Sequence, residues 1–380
     1  MPCLRRLAGF LALFCAPWSA TAAWAGDPRV GYDGGFVIRN TEDTFHLTLN
    51  GLLQFLHRYE VVGGAPDINT FHLRRSRIAM TATLFERFEA HTYIEHRTGT
   101  ALPGTPYWWA EAGYHPIDAF GVTVGMIQLP MDRQGEVEPW DLAMVEQPIT
   151  ATQVGGQKGK SIARQSLGLP ATLGIRLDSD VGRFHGMAAV GNGESEHNFN
   201  ATRAFAGSAR VAVDLLGDPG SMESDLAATE RPALQIGAGT GYEGQDADDD
   251  HINNVKLDWS WTGSADLAFK WRGFSFVNEW YWRKLKVKTG NFTLDDVGYY
   301  AQAGYFVLPK KLELVARGVQ LFREGPNNNA YEFGGGLNWF FHGNAVKLQA
   351  DVTRLRDFDD AEGEGHRPFT RLRTQLMVKF

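Results

Sequence analysis

Residues 257–271 alternate with period two along their whole length. Leu257, Trp259, Trp261, Gly263, Ala265, Leu267, Phe269 and Trp271 fall on one face. Asp258, Ser260, Thr262, Ser264, Asp266 and Lys270 fall on the other, with Ala268 the one apolar intruder. A strand of this length, with tryptophans toward both ends of its apolar face, suits a bilayer whose two interfaces hold aromatic rings. The segment from Arg371 to Phe380 repeats the pattern, with Leu372, Thr374, Leu376, Val378 and Phe380 opposite Arg371, Arg373, Gln375, Met377 and Lys379. One face suits lipid and the other water.

The first 25 residues read as a secretory leader. Arg5 and Arg6 are its basic start, Leu7 to Ala16 its short apolar stretch, and Ala23-Trp24-Ala25 a small-x-small cleavage site before Gly26. Both cysteines, Cys3 and Cys15, lie within it, and Phe14 stands where a lipoprotein needs a small residue. Residues 26–380 then carry no cysteine and form a single domain without disulfides. No run of about eighteen apolar residues follows the leader, so no helix anchors the chain. That leaves a soluble secreted protein or a closed barrel. The formal net charge is −7, and −9 once Arg5 and Arg6 leave with the leader. An acidic chain argues against nucleic acid as a partner.

Alternating segments recur over 44–60, 69–84, 87–98, 106–115, 120–131, 171–180, 183–193, 201–215, 233–243, 256–271, 273–288, 294–308, 311–323, 330–341, 344–356 and 368–380. Each is a weak signal alone. Sixteen is an even number, as a bacterial single-chain barrel requires. The 43 glycines and the 24 Phe, 11 Tyr and 11 Trp fit short turns and aromatic girdles. Connection lengths alternate as well. Phe85-Glu86, Val181-Gly182, Arg272, Pro309-Lys310 and His342-Gly343 are short, whereas 61–68, 132–170, 244–255 and 357–367 are long. The connection 216–232 breaks this parity. The fold expected is an all-β transmembrane antiparallel barrel of about 16 strands, with a long constriction loop after the fifth.

That loop, 132–170, holds Asp132, Arg133, Glu136, Glu138, Asp141, Glu146, Lys158, Lys160 and Arg164. A connection this long is usually functional, and its natural place is inside the lumen. Strand parity points Arg58, Arg75, Arg77, Arg317, Lys347, Arg371, Arg373 and Lys379 inward. They lie on strands that become neighbours when the last strand pairs with the first, and they form one basic wall. Glu89, Glu95, Glu111, Asp178, Asp214, Asp258, Asp266, Glu279 and Asp296 point inward from the other strands. The expectation is either a field across the constriction, which orients charged solutes, or charges paired across strands that merely solvate the lumen.

Motifs suggestive of other chemistry lack their context. Gly239-Thr240-Gly241-Tyr242-Glu243-Gly244 spells a dinucleotide fingerprint but precedes an aspartate-rich loop rather than a helix. Gly159-Lys160-Ser161 ends like a phosphate-binding loop, yet Val154 replaces its first glycine. His91 and Glu95 share a face of a strand while His96 points away, so the three cannot converge on a metal. No cofactor and no catalytic residue is expected.

Several stretches resemble the phosphate-selective porin O and P family: Gly31-Tyr32-Asp33-Gly34-Gly35-Phe36-Val37-Ile38 at the entry to the first strand, Asn50-Gly51-Leu52-Leu53-Gln54-Phe55, the arginine-rich Phe71-His72-Leu73-Arg74-Arg75-Ser76-Arg77-Ile78, Val190-Gly191-Asn192-Gly193-Glu194 and Ala316-Arg317. Their order and spacing run over nearly the whole chain. The resemblance implies a sixteen-stranded porin of the Gram-negative outer membrane, often trimeric, and passive diffusion of small hydrophilic solutes. Arg75 and Arg77 match the family's second-strand arginines, which implies a preference for anions such as phosphate. The acidic start of 132–170 departs from that pattern. The alternatives are a weakly selective general porin, or a loop-plugged barrel with a binding or enzymatic role. Outer-membrane lipid, lipopolysaccharide and the barrel-assembly machinery, the last through Phe380, are the expected partners.

Overall fold

The computed structural model describes residues 29–96, 106–151, 167–193, 204–244, 257–288, 290–324, 329–356 and 368–380. The leader, Lys158, Lys160, Arg164, the Gly159-Lys160-Ser161 motif and the acidic stretches at 246–250 and 357–364 lie outside these residues. Sixteen strands form the barrel: β3 (Phe45–Val62), β4 (Ala65–Leu84), β5 (Phe88–His96), β6 (Tyr107–Ile117), β7 (Phe120–Gln128), β8 (Ala171–Val181), β9 (Phe184–Asn192), β10 (Phe205–Gly217), β11 (Ala233–Gly244), β12 (Leu257–Trp271), β13 (Phe274–Val287), β14 (Phe292–Leu308), β15 (Leu312–Arg323), β16 (Ala330–His342), β17 (Val346–Arg356) and β18 (Phe369–Lys379). Each pairs antiparallel with the next. β18 closes on β3 in unbroken register from Phe369 opposite Val62 to Lys379 opposite Leu52. Closure matters because hydrocarbon offers no partner to an unpaired N–H or carbonyl.

Two short strands precede the barrel, β1 (Arg29–Tyr32) and β2 (Phe36–Arg39). They were not among the sixteen alternating segments. β3 is longer than its partner β18, so its edge continues past Phe380. The Gly51 N–H donates to the Phe380 carbonyl (2.6 Å), and the Phe380 N–H to the Gly51 carbonyl (3.0 Å). Beyond that point β2 covers the same edge, with Phe36 opposite Leu49 and Arg39 opposite His46.

The barrel reverses the burial of a soluble sheet. Along β13, Ser275, Glu279, Tyr281 and Arg283 are buried, while Trp280 and Trp282 are exposed. The outward rings cluster: Trp280 lies 4.8 Å from Tyr299 and Trp261 lies 6.4 Å from Trp282, centroid to centroid. Such a surface is stable against lipid rather than water.

One end of the barrel carries the tight turns. Phe85, Glu86, Gly182, Arg272, Gly273, Lys310 and Gly343 all have positive φ there, as two-residue hairpins of the primed type require. The expected outer connection 61–68 is corrected. β3 and β4 extend into it and are joined at Gly63 and Gly64, with φ of 58° and 90°. The Gly-Gly pair supplies the left-handed conformations for a two-residue hairpin, so no loop is needed.

Candidate functional site: the lumen and its inward-folded segments

The connection between β7 and β8 enters the lumen. It leaves β7 at Gln128, crosses to β11–β14, and returns past β15–β17 toward β4. The Met131 carbonyl accepts from the Ser264 hydroxyl (2.7 Å). Asp132 accepts from the Tyr281 hydroxyl (2.9 Å), and Gln134 from the Tyr300 hydroxyl (2.7 Å). Arg133 donates to Gln235 (2.9 Å). Further along, Lys347 donates to the carbonyls of Trp140 (2.7 Å) and Leu142 (3.1 Å). Asn338 donates to the Ala143 carbonyl (2.8 Å), and the Val145 N–H donates to Asp351 (3.0 Å). Arg317 donates to the Glu146 carbonyl (2.8 Å). The Glu146 side chain closes the circuit with a two-pronged pair to Arg74 on β4. Leu129, Met131, Leu142, Met144, Leu167 and Leu169 are almost fully buried by this crossing, each at roughly 1.5–3 kcal/mol of favourable burial.

Glycines on β11 make room for the loop. A Cβ added at Gly239 would lie 1.9 Å from the Met131 carbonyl oxygen, and one at Gly241 2.2 Å from a Leu169 methyl. The Gly239-Thr240-Gly241 pattern therefore marks where both ends of the loop meet the wall.

A second segment, 218–232 between β10 and β11, rises from the turn end. Its Glu223 N–H donates to the Asp141 carbonyl (3.0 Å), and its carboxylate accepts from the Ala143 N–H (2.7 Å) and from Gln302 (2.8 Å). Ser224 donates to Glu313 (2.7 Å). The sequence singled out this connection by its length alone. Its inward course depends on partners from β14, β15 and the loop, distant in sequence. Together the two segments occupy the lumen alongside β10–β17.

Among the described residues, two cavities lie on the opposite side, along β3–β8 and the end of β18. A cavity of about 330 Å³ is lined by Arg74, Arg75, Arg77, Tyr107, Trp109, Glu111, Arg176, Glu136, Glu138 and Glu146, among others. A second, of about 270 Å³, lies nearer the turn end, between Leu52, Ala79, Thr81, Glu89, Trp140 and Lys379. The two share Arg77, His91 and Glu138, and the Arg77–Glu138 ion pair (3.6 Å) marks the waist between them. Arg77 also lies 3.9 Å over the Tyr93 ring, and Lys379 4.5 Å over Trp140.

The residues of the expected basic wall sit inside the barrel in separate groups rather than as one wall. Arg75 and Arg77 line the open cavity, where Arg75 donates to Gln54 (2.8 Å) and Arg77 to Glu95 (2.7 Å). Arg317, Lys347 and Arg373 are buried beneath the loop. Arg317 pairs with Glu332 (2.5 Å), and Arg373 with both oxygens of Asp351 (2.8 and 2.9 Å). Arg58 and Arg371 share Glu60. Among the expected loop residues, Arg133 and Asp141 contact the wall, while Glu136 and Glu138 face the cavity.

Arg74 was absent from the predicted wall. Strict alternation puts it outside, beside Arg75 and between two inward positions. A bulge breaks the register here: Gln54 opposes Arg75 while Phe55 opposes Leu73, leaving Arg74 unpaired in the ladder. The bulge turns both consecutive arginines inward. Three arginines in four residues is the one signal that invites attention, but the bulge itself is a property of the paired strands.

The loop carboxyls differ in proton affinity. Burial pushes Glu136 up to about 7, against the opposing pull of Arg176 and Arg210. Burial also raises Glu138, partly countered by Arg77. For Glu146 burial acts in the same upward direction, yet Arg74, Arg75 and Arg373 together hold its carboxyl well below the usual range.

Solved structures share this architecture. An anion-selective porin from Comamonas acidovorans has 13% identity and a TM-score of 0.63, over 88% of this chain and all of that one. The trimer form of OmpT from Vibrio cholerae has 12% identity and a TM-score of 0.60, over 89% and 100%. The outer-membrane channel DcaP of Acinetobacter baumannii has 12% identity and a TM-score of 0.58, over 90% and 99%. At these identities the likeness is one of fold. No curated protein matches the sequence. The family model for phosphate-selective porin O and P matches residues 46–380, the whole barrel from β3 to Phe380. The chain therefore belongs to the phosphate-selective porin O and P family, as an outer-membrane channel of porin fold.

Proposed function

We propose that this channel passes small hydrophilic solutes by passive diffusion and favours anions, phosphate among them. The observation that carries the reading is the row of Arg74, Arg75 and Arg77 along the open side of the lumen, with Arg176 across the same cavity. Of the acids facing that row from the loop, Glu136 is pushed by burial up to about 7, and burial raises Glu138 as well. Their negative charge is thereby weakened where the arginines keep theirs. Guanidinium forks suit phosphate and carboxylate oxygens. Solute must bind weakly enough to leave, and the carboxylate already beside each arginine supplies a competitor that keeps binding weak.

The test is the reversal potential of the purified protein in a planar bilayer under a KCl gradient, with and without phosphate. An anion-selective current reduced by phosphate supports the reading. The arginine–carboxylate pairing favours a second reading, a weakly selective porin, and a reversal potential near zero with no phosphate effect would select it. The absence of any conductance would select a plugged barrel. We further propose a homotrimer, as in the trimer form of OmpT. Leu49, Phe55 and Ile94 supply exposed apolar surface on the outer wall near the loop's strands. Leader cleavage after Ala25, contact with lipopolysaccharide and recognition of Phe380 by the assembly machinery belong to the same proposal.

A further inference from the structure

The larger cavity holds more than the arginine row. Tyr107 and Trp109 on β6 line it and are half-exposed. Trp109 lies parallel to Tyr93 on β5, with centroids 5.7 Å apart and planes 7° apart, and Tyr107 stands 6.4 Å from Trp109. Arg77 covers Tyr93. The stack Arg77–Tyr93–Trp109 thus runs around the wall across three strands and ends at the cavity. The stack brings two amphipathic rings, Trp109 and Tyr107, to a cavity rich in charged groups.

Two carboxyl oxygens add a polar demand. Glu111 Oε2 and Glu136 Oε1 are buried and have no hydrogen-bond partner among the described residues. Both side chains line this cavity. A buried acceptor without a donor is unfavourable, and a solute carrying hydroxyl groups brings donors to these two carboxyl groups. Arg74 uses two of its five N–H donors on Glu146, so a guanidinium with further donors lies beside the same space. The cavity's volume falls at the small end of ligand pockets, about 300–1,000 Å³.

We infer that this cavity is a transit subsite for an anionic saccharide: the sugar ring lies on Trp109 and Tyr107, its hydroxyls donate to Glu111 and Glu136, and its phosphate or carboxylate meets Arg74 and Arg75. The inference rests on the anion-favouring reading and narrows it. A bare phosphate leaves the rings unused. A neutral sugar brings no charge to the guanidinium row.

The experiment is current interruption in planar bilayers holding the full-length channel, with inorganic phosphate, glucose, glucose 6-phosphate and glucuronate as probes. The expected result is half-interruption by both sugar anions at about tenfold lower concentration than by phosphate or glucose, the gain expected of a ring contact. Potency for glucose 6-phosphate alone would assign the anionic group to phosphate, and potency for glucuronate alone to carboxylate. Equal potency of all four probes overturns the inference. Trp109→Leu and Tyr107→Leu should each lower the potency of the sugar anions relative to phosphate by about tenfold. An unchanged ratio in whichever variant assembles overturns the role of the rings. The reversal potential, read on the same membranes, decides the anion reading separately. An anion-selective channel without sugar-anion preference refutes this inference and leaves that reading standing.

Discussion

Glu136 is expected to make the selectivity of the channel depend on pH in a definite direction. Its carboxyl faces the cavity, and burial among Asp132, Asp178, Arg176 and Arg210 sets its proton affinity near pH 7. The folded-state value lies above that of an ordinary glutamate, so the protonated form is the favoured one. From pH 8 to pH 6 the ionised fraction falls from about nine-tenths to about one-tenth, a loss of roughly 0.8 of a negative charge. For a solute ion passing at about 6 Å, one unit charge contributes about 0.7 kcal/mol at the dielectric of water. Salt at about 0.1 M reduces this to roughly 0.4 kcal/mol. The anion gains and the cation loses this amount. Scaled by the charge lost, the difference is about 0.6 kcal/mol, or about threefold in the anion-to-cation permeability ratio. The assay is reversal potential under a fixed KCl gradient at pH 6, 7 and 8. Glu136→Gln should show the low-pH ratio at every pH. A ratio that moves toward cations as pH falls, or a pH dependence that persists undiminished in Glu136→Gln, would refute the reasoning.

Other predictions concern how the loop is held. Asp351→Ala leaves Arg373, 3% exposed, without its carboxylate and removes the acceptor for the Val145 N–H. A cost of about 3 kcal/mol is expected, seen as a lower unfolding temperature and a larger, noisier conductance; Asp351→Asn should recover part of both. Gly239→Ala places a Cβ against the Met131 carbonyl and should displace the loop while sparing the barrel. The expected readout is a normal heat-modifiable band with raised single-channel conductance, and unchanged conductance would count against the loop's entry at β11. Gly51→Val puts a side chain where the Phe380 ring lies, 2.6 Å from a Cβ at Gly51. It should lower the fraction of folded barrel after refolding, because β3 and β18 meet there. For the proposed trimer, native mass in mild detergent should be three times the protomer, and a monomer would refute it.

The sequence determined most of the wall. Alternation with period two is local, so it placed Arg75, Arg77 and Asp266 on one side and Trp261 and Leu372 on the other, and sixteen repeats of it fixed the strand count. Turn residues are local too, which made the short connections at Phe85-Glu86 and Arg272 readable. The same local logic erred where one residue changes the rule. Gly63-Gly64 can close a hairpin or sit in a loop, and only the continued pairing of β3 with β4 decides. Arg74 reaches the lumen because of a bulge against Phe55, and a bulge belongs to two strands. What fills the pore was not legible. The loop's length pointed inward, but its course depends on Lys347, Asn338, Asp351 and Arg317, some 170 to 207 residues away. The segment around Glu223 is held by the same kind of distant partner. Local pattern fixes which face a side chain takes. Which buried donor meets which acceptor across an enclosed lumen depends on closure of the whole barrel. Tertiary structure therefore decided that Arg317 and Lys347 hold the loop, and that the larger cavity among the described residues lies beside Arg74, Arg77 and Trp109.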